Sequence, residues 1–422
     1  MSAKDDGKKV VVAGWLYDSR DLGKIRFVLV RDMDGEIQIT AFKGKTDDKV
    51  YEAMGKTSRE SVIVISGKVK KSDKAPGGRE ILPDSFEILA SADEPLPLDV
   101  SDFSKTELPK RLDYRFLDLH RKRIQAIYKI QSTVSMSFRE HFVDKGFIEF
   151  QPPSIIGSSS EGGTELFPAQ YFEKKAYLAQ SPQLYKQMVA CSMEKAMTIT
   201  PVWRAEKHNT IRHLNECRQM DIEMGFADAM VVMKQMEEVV RHIVKKVLGK
   251  NKAELDLLGI KLKIPQDKYM TFAEVSEIMK KHKVHVGKDD LSAESEKKLD
   301  ELYPDTIVFV YDWPLSGKPF YIMPKGEKSD AVLSEGFDAI YKGMEISSGG
   351  QRIHLPELLE ERLKVKGLNP KDFKGYIDSF RYGAPPHAGW SIGLERFTQV
   401  LLGFQNVREV VMFPRDRDRL TP

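Results

Sequence analysis

Cysteine is nearly absent from this chain. Cys191 and Cys217 are the only two in 422 residues, too few for a disulfide framework or a cysteine-rich zinc site. No apolar run approaches the length of a membrane span, so no membrane partner is expected. The first residues, MSAKDDGKK, lack the apolar core of a signal peptide. A net charge of +3 is too small to announce a polyanionic partner by electrostatics alone. Any RNA would have to be gripped by local patches. What remains is ordinary for a soluble protein: 41% hydrophobic and 31% charged residues, in a chain long enough for two or three domains and a large core. The expected location is the cytoplasm.

The most informative stretch is Val202–Glu223, VWRAEKHNTIRHLNECRQMDIE. It concentrates Arg204, Glu206, Arg212, His213, Glu216, Arg218 and Asp221. Thr198, Thr200 and Val202 alternate before it, and Met220, Ile222 and Met224 after it, as in half-buried strands. Between them Lys207-His208-Asn209-Thr210 breaks the alternation. The pattern predicts two antiparallel strands joined by a long loop, with Arg204 and Asp221 facing one pocket. A solvated charged hairpin is the bland alternative. It conflicts with charges on the side that should be buried, where they need partners or ligands. Two arginines and a histidine there suit a polyphosphate, which guanidinium forks grip through paired hydrogen bonds.

Arg204-Ala205-Glu206 followed by Arg212-His213-Leu214 resembles motif 2 of the class II aminoacyl-tRNA synthetases. The resemblance implies that Arg204 holds the α-phosphate of ATP and the reacting carboxylate. It places Glu206 near adenine and the Arg212-His213 pair near the γ-phosphate, with Ala205 and Leu214 as neighbours in the ATP site. One departure stands out: the family often has an aromatic residue where Cys217 stands, stacking under adenine.

Upstream, short strands are expected at Lys9–Leu16, Arg26–Arg31, Ile37–Phe42, Ser61–Val69 and Phe86–Leu89, with a helix near 47–55. This suits a five-stranded OB barrel, whose strand face binds single-stranded nucleic acid. On such a face Phe27 would stack a base and Gln38 would hydrogen-bond one; spacing alone leaves Phe27 equally at home in the core. The run GWLYDSRDLGKIRFVLVRDMDGEIQIT resembles the anticodon-binding domain of the aspartyl, asparaginyl and lysyl enzymes. That resemblance implies anticodon contacts for Phe27 and Gln38. It also aligns Tyr17 and Pro76 with positions at which archaeal members discriminate between the tRNAs for aspartate and asparagine. Neither is the tryptophan or lysine of discriminating members, so relaxed recognition of both tRNAs is expected.

The expected divisions are a barrel over 1–95, a hinge over 96–125 entered through Pro95 and Pro97, and a catalytic domain over 126–422. Helical spacing from Ile124 to Lys145, a stop at Gly146 and a strand at Phe147–Phe150 resemble motif 1, which implies a homodimer. Glu161-Gly162-Gly163 reads as a mobile acidic loop able to close over an amine. Gln180-Ser181-Pro182-Gln183-Leu184-Tyr185-Lys186-Gln187 resembles the amino-acid pocket of the aspartate branch. It implies aspartate contacts from Ser181, Gln183, Leu184, Tyr185 and Lys186, with Lys186 on the side-chain carboxylate. Residues 228–310 read as a mostly helical insertion without chemistry of its own.

GKPFYIM (Gly317–Met323) is expected to return to strand. In Glu345-Ile346-Ser347-Ser348-Gly349-Gly350-Gln351-Arg352, Glu345 and Ser348 offer oxygen ligands, and magnesium in phosphate sites takes one or two carboxylates plus phosphate oxygens. The resemblance gives Glu345 and Ser348 to Mg²⁺ beside the phosphates, and Arg352 to the substrate aspartate. HAGWSIGLERF (His387–Phe397) resembles motif 3. It implies nucleotide contacts from Gly393, Leu394, Glu395 and Arg396, with Arg204 and Arg396 as the catalytic cations.

The fold class expected is therefore α+β: an OB barrel followed by a class II catalytic domain, an antiparallel sheet flanked by helices. The resemblance implies ATP-dependent attachment of L-aspartate to tRNA(Asp) and also tRNA(Asn). A tRNA-independent, asparagine-forming relative and a nucleic-acid-binding module with a dead site are the alternatives. The barrel speaks against the first, and the full set of Arg204, Arg212, His213, Glu345 and Arg396 against the second.

Overall fold

The computed structural model describes residues 5–157, 165–207 and 210–422. The chain forms two compact units, Met1–Asp99 and Val100–Pro422. The first is a closed barrel of β1 (Lys9–Asp21), β2 (Ile25–Arg31), β3 (Glu36–Phe42), β4 (Val62–Lys71) and β5 (Arg79–Ala90), in the order β1-β2-β3-β5-β4. Helix α1 (Asp48–Lys56) lies between β3 and β4 and is capped by the Asp47 carboxylate on the Lys49 and Val50 amides. Alternation sends Leu16, Val28, Val30, Ile39, Ile63 and Ile65 into the barrel core.

Two strands run further than expected. β1 continues past Leu16 through a register shift that leaves Tyr17 bulged. β5 starts at Arg79, directly after Gly77 and Gly78 turn the chain at φ +71° and +74°. Pro83 is accommodated because it pairs with Gly67, where the β4–β5 register shifts.

The second unit opens with α2 (Leu108–Asp113), α3 (Arg115–Asp118) and α4 (Lys122–Asp144). Most of the expected hinge is therefore folded structure. Arg115 and Asp118 are both fully buried, and the Arg115 guanidinium also donates to the carbonyls of Met412 at 2.8 Å and Val411 at 2.7 Å. After α4, Gly146 turns the chain at φ +78°, and strand β6 is only Ile148–Glu149. A small sheet follows, of β7 (Ile155–Ile156), β8 (Pro168–Tyr171) and β9 (Lys174–Leu178).

Next in the chain come α5 (Gln183–Met193), β10 (Lys195–Trp203), β11 (Glu216–Gly225), α6 (Ala229–Lys250), α7 (Lys252–Leu258) and β12 (Gln266–Thr271). Then follow α8 (Phe272–Lys281), α9 (Ala293–Leu302), β13 (Thr306–Tyr311), β14 (Gly336–Tyr341), β15 (Met344–Arg352), α10 (Pro356–Val365), α11 (Lys374–Asp378), β16 (His387–Gly393) and α12 (Leu394–Leu402). The main sheet has eight strands in the order β12-β13-β14-β15-β16-β11-β10-β6. Its six central strands are antiparallel, and β12 and β6 join the two edges in parallel. Helices α4, α6 and α12 bury one face through Phe138, Phe142, Val240, Ile243, Phe397 and Leu401.

Two expectations are corrected. Residues 228–310 are not merely an insertion: α6 packs under the sheet, and β12 and β13 extend it. Gly317–Met323 is not a strand. Phe320, Tyr321, Ile322 and Met323 are apolar because they pack with Leu359, Leu363 and Phe373 in a second core, and the backbone there makes only isolated bridges.

Candidate active site

The face of the sheet opposite α4 carries a cleft of about 280 Å³. Strand alternation builds it. On β11, Met220 and Ile222 enter the core while Gln219, Asp221 and Glu223 turn to the other face. Ser181, Gln183, Lys186, Arg204, Asp221 and Arg352 line the cleft with Glu206, His213, Leu214, Cys217, Glu345, Ser348, Gly393, Glu395 and Arg396.

One end is a buried charge network. Lys186 is 1% exposed and donates to Asp221 Oδ1 at 2.7 Å and to the Trp390 carbonyl at 3.2 Å. Glu223 lies 3.5 Å from the same ammonium and accepts Arg352 Nε at 2.8 Å and Nη2 at 3.3 Å. Ser391 Oγ donates to the second Asp221 oxygen at 3.1 Å. Burial pushes the Asp221 carboxyl up. Burial would also raise Glu223, but Arg352 and Lys186 hold it below its usual range. Behind this network Gln187 Oε1 accepts from Gln183 Nε2 and the Tyr376 hydroxyl, both at 2.8 Å. The Gln187 amide then faces His387 Nε2 at 2.9 Å. His387 Nδ1 meets the Pro385 carbonyl at 2.9 Å, which is satisfied by a neutral imidazole with its proton on Nδ1.

The other end gathers Arg204, His213 and Arg396. Arg204 follows directly on the end of β10, its amide bound to the Asn215 carbonyl at 2.9 Å. The Asn215 side chain returns hydrogen bonds to the carbonyls of Arg204 at 2.7 Å and Glu206 at 3.0 Å. Arg396, in the first turn of α12, reaches the Glu345 carbonyl at 3.5 Å. The Glu345 carboxyl is pushed up to about 7, first by burial and then by Asp338. Asp338 pairs with Ser348 across β14–β15, and Lys318 binds its carboxylate at 2.7 Å. Burial lifts the Cys217 thiol to about 12, so it stays protonated and inert. The loop between β10 and β11 is fastened from outside by the C-terminal tail. Val407 N–H donates to Ile211 O, the Arg408 guanidinium to Thr210 O and Asn215 N–H to Arg415 O, each at 2.9 Å, and Arg417 reaches Lys207 O at 3.0 Å.

Several expected residues do not line the cleft. Leu184 and Tyr185 sit on the outer faces of α5, because positions 183, 186, 187 and 190 take the inner one; Leu184 packs in the second core. Leu394 belongs to the main core. Ala205 contributes its backbone, an amide bound to the Glu165 carbonyl. Arg212 turns to Glu296 at 2.9 Å. Glu161 lies outside the described residues. Sequence reasoning missed Glu223, Asp338, Asn215 and Gln187. Glu223 had a visible signal, an acid two residues from Asp221 on the same strand face.

The barrel carries a groove of about 630 Å³, lined among others by Arg20, Phe27, Gln38, Lys74, Pro76 and Glu80. Phe27 and Gln38 are on its outer wall because Val28 and Ile39 take the core positions. Glu80 accepts from Thr40 Oγ1 at 2.5 Å and Gln38 Nε2 at 3.1 Å. Tyr17 does not line this groove; its ring lies under the Arg31 guanidinium at 4.4 Å. The bulge turns it that way.

A cation-and-carboxylate pocket continuous with an arginine-rich end, on an antiparallel sheet, fits an amino-acid-activating enzyme of class II architecture. The chain belongs to the class II tRNA synthetases of the D, K and N branch, whose family model matches residues 107–417. Residues 10–89 match the OB-fold nucleic acid binding domain. It is 46% identical to the aspartate–tRNA(Asp/Asn) ligase of Methanocaldococcus jannaschii, covering 99% of this chain and 95% of that one. The enzyme of the same name from Archaeoglobus fulgidus is also 46% identical, with 99% and 97% covered. Among solved structures it resembles Pyrococcus horikoshii asparaginyl-tRNA synthetase complexed with asparaginyl-adenylate, at TM-score 0.94 and 33% identity over 100% of this chain and 98% of that one. The aspartyl-tRNA synthetase of Entamoeba histolytica gives TM-score 0.88 and 31% identity, over 100% and 91%.

Proposed function

We propose that this enzyme activates L-aspartate with ATP and transfers it to both tRNA(Asp) and tRNA(Asn). The observation that carries the amino acid is the Lys186–Asp221–Glu223–Arg352 network. Lys186 and Arg352 line the cleft, where a side-chain carboxylate meets two cations. Beside their existing partners these cations give a carboxylate charge-assisted hydrogen bonds that a neutral asparagine amide accepts only more weakly, and such polar mismatches discriminate by roughly 10⁴-fold.

In the first step the substrate α-carboxylate attacks the α-phosphorus of ATP, and pyrophosphate leaves. Arg204 orients the two reactants and Arg396 faces the charge that develops on the phosphates. Positioning and fixed charge do the work, with no covalent enzyme intermediate. In the second step the 3′-hydroxyl of the terminal adenosine attacks the activated carbonyl, releasing AMP. A phosphate oxygen of the adenylate takes the hydroxyl proton.

Magnesium fits the donor set. Glu345 and Asp338 are two acids close enough to raise the Glu345 carboxyl, and Ser348 adds a hydroxyl in the cleft. Among the described residues no cluster of three or more acids, histidines or cysteines is placed to hold a metal, which agrees with an ion that relies on phosphate oxygens. When bound, the ion would neutralise phosphate charge.

Relaxed tRNA choice rests on Pro76, which lines the barrel groove with neither a backbone donor nor a charged side chain. A homodimer is supported by apolar side chains left exposed on α4 and β6, Met136, Val143 and Ile148, and sedimentation tests it. No described helix is long and apolar enough to cross a membrane; the proposed location is the cytoplasm, where tRNA is charged.

The deciding experiment is pyrophosphate exchange with and without tRNA, then charging of both transcripts with labelled aspartate. Aspartate-dependent exchange without tRNA and similar charging of both are expected. A preference for tRNA(Asp) of about a hundredfold, near the top of the roughly 1–3 kcal/mol of one base contact, would refute relaxed recognition.

A further inference from the structure

Helix α9 lies in the segment between motifs 2 and 3 to which the sequence assigned no chemistry. It is firmly seated. Ser292 caps it on the Ser295 amide, and the Ser292 and Ser295 hydroxyls donate to the His285 carbonyl at 3.1 and 3.0 Å. Leu299 is fully buried in a core with Val308 and Trp313.

Glu296 leaves this helix toward the phosphate end of the cleft, its side chain 10% exposed. Its carboxylate accepts Arg212 Nη1 at 2.9 Å and the backbone N–H of Glu345, and it feels the charge of Arg396. Arg212 comes from the loop between β10 and β11, and Glu345 from β15. One buried carboxylate therefore joins the β10–β11 loop to strand β15. The contact spends one guanidinium nitrogen of Arg212, and a guanidinium offers five N–H donors.

We propose that Glu296 is a positioning residue for ATP: it anchors Arg212, which does not line the cleft in this structure, beside the Glu345 backbone, from where the remaining donors of the Arg212 fork reach the terminal phosphates once ATP is bound. This rests on the ATP-dependent activation proposed above and adds to it a residue that touches neither substrate. It follows the logic by which outer carboxylates orient the groups that bind the ligand, whose loss costs roughly 10–100-fold in affinity or activity.

The test is Glu296→Gln and Glu296→Ala, each also combined with Arg212→Ala. Pyrophosphate exchange should show KM for ATP rising about 10-fold or more in Glu296→Ala, less in Glu296→Gln, with KM for aspartate and Tm near the parent's. The double variant should be no worse than Arg212→Ala alone, because both changes remove one coupled unit. An unchanged KM for ATP, or both KM values and Tm moving together, overturns the positioning role. Calorimetric ATP binding without amino acid separates this from the function beneath it. A parent that binds ATP but shows no aspartate-dependent exchange overturns the function. A Glu296→Ala variant that binds ATP as the parent does overturns the inference.

Discussion

The two ends of the cleft are held in opposite ways. At the amino-acid end each cation is already closed on a buried carboxylate: Lys186 on Asp221, Arg352 on Glu223. At the end proposed for phosphates Arg396 reaches a backbone carbonyl at 3.5 Å, and burial together with the neighbouring Asp338 raises Glu345 toward neutrality. The first end is complete before a ligand arrives. The second, on the proposed reading, is completed by ATP. Selecting among amino acids needs rigid, fully paired groups, because a mismatch is costly only where nothing can relax. Gripping a triphosphate needs uncommitted charge.

Removing a cation from the closed end should have the largest effect. Lys186→Ala leaves Asp221 and Glu223 buried with one cation fewer, a change that costs about 3–5 kcal/mol. Aspartate-dependent exchange should all but vanish while ATP binding, followed by calorimetry, survives. Near-normal exchange would erase the contrast between the ends. Changes at the open end should cost rate rather than architecture. Arg204→Ala and Glu345→Ala should each lose about 3 kcal/mol of transition-state stabilisation, roughly a hundredfold in activation, with Tm close to the parent's. Normal activation at saturating Mg²⁺ in either variant would remove that residue from the phosphate end.

A milder change tests whether the closed end extends to its support. Tyr376→Phe deletes one buried hydrogen bond to Gln187, worth about 1 kcal/mol. It should raise KM for aspartate more than KM for ATP; an equal rise in both would detach Gln187 from amino-acid selection. The smallest effect belongs to a reference point outside the cleft. Burial holds His141 down at about 4, from an ordinary 6.5. Between those values the unfolded chain binds the extra proton, so His141 contributes stability above 6.5 that is lost as pH falls toward 4. His141→Gln should flatten the fall in Tm between about pH 7 and 5 without changing exchange. A Tm profile as steep as the parent's would contradict it.

Much of this was legible in the chain. The β10–β11 alternation showed which side of the hairpin is wet, and so brought Arg204 and Asp221 to one cleft. Asp338 was harder to see. It is a lone acid in the apolar strand Gly336–Tyr341, and only the sheet order reveals Ser348 opposite it. Phe320–Met323 misled because a packed apolar loop and a strand have the same composition; hydrogen bonding alone separates them. β12 and β13 were hidden among helices because parallel pairing joins segments 40 residues apart, Gln266 with Thr306, and leaves no local hairpin signal. Leu184 and Tyr185 were assigned by membership of a motif, whereas helical periodicity would have turned them away.

The tail that fastens the motif 2 loop sets an order of events during synthesis. Arg408 and Thr210 are 198 residues apart, and the ribosome adds residues at about 5–20 per second. The loop therefore waits roughly 10–40 s for the segment that secures it, at that elongation rate. By then both parts of the amino-acid pocket on β10–β11 and α5 have been made. The β10–β11 loop is thus fastened only after Asp221, Glu223 and Arg352, which pair within the other end of the cleft, have all been made.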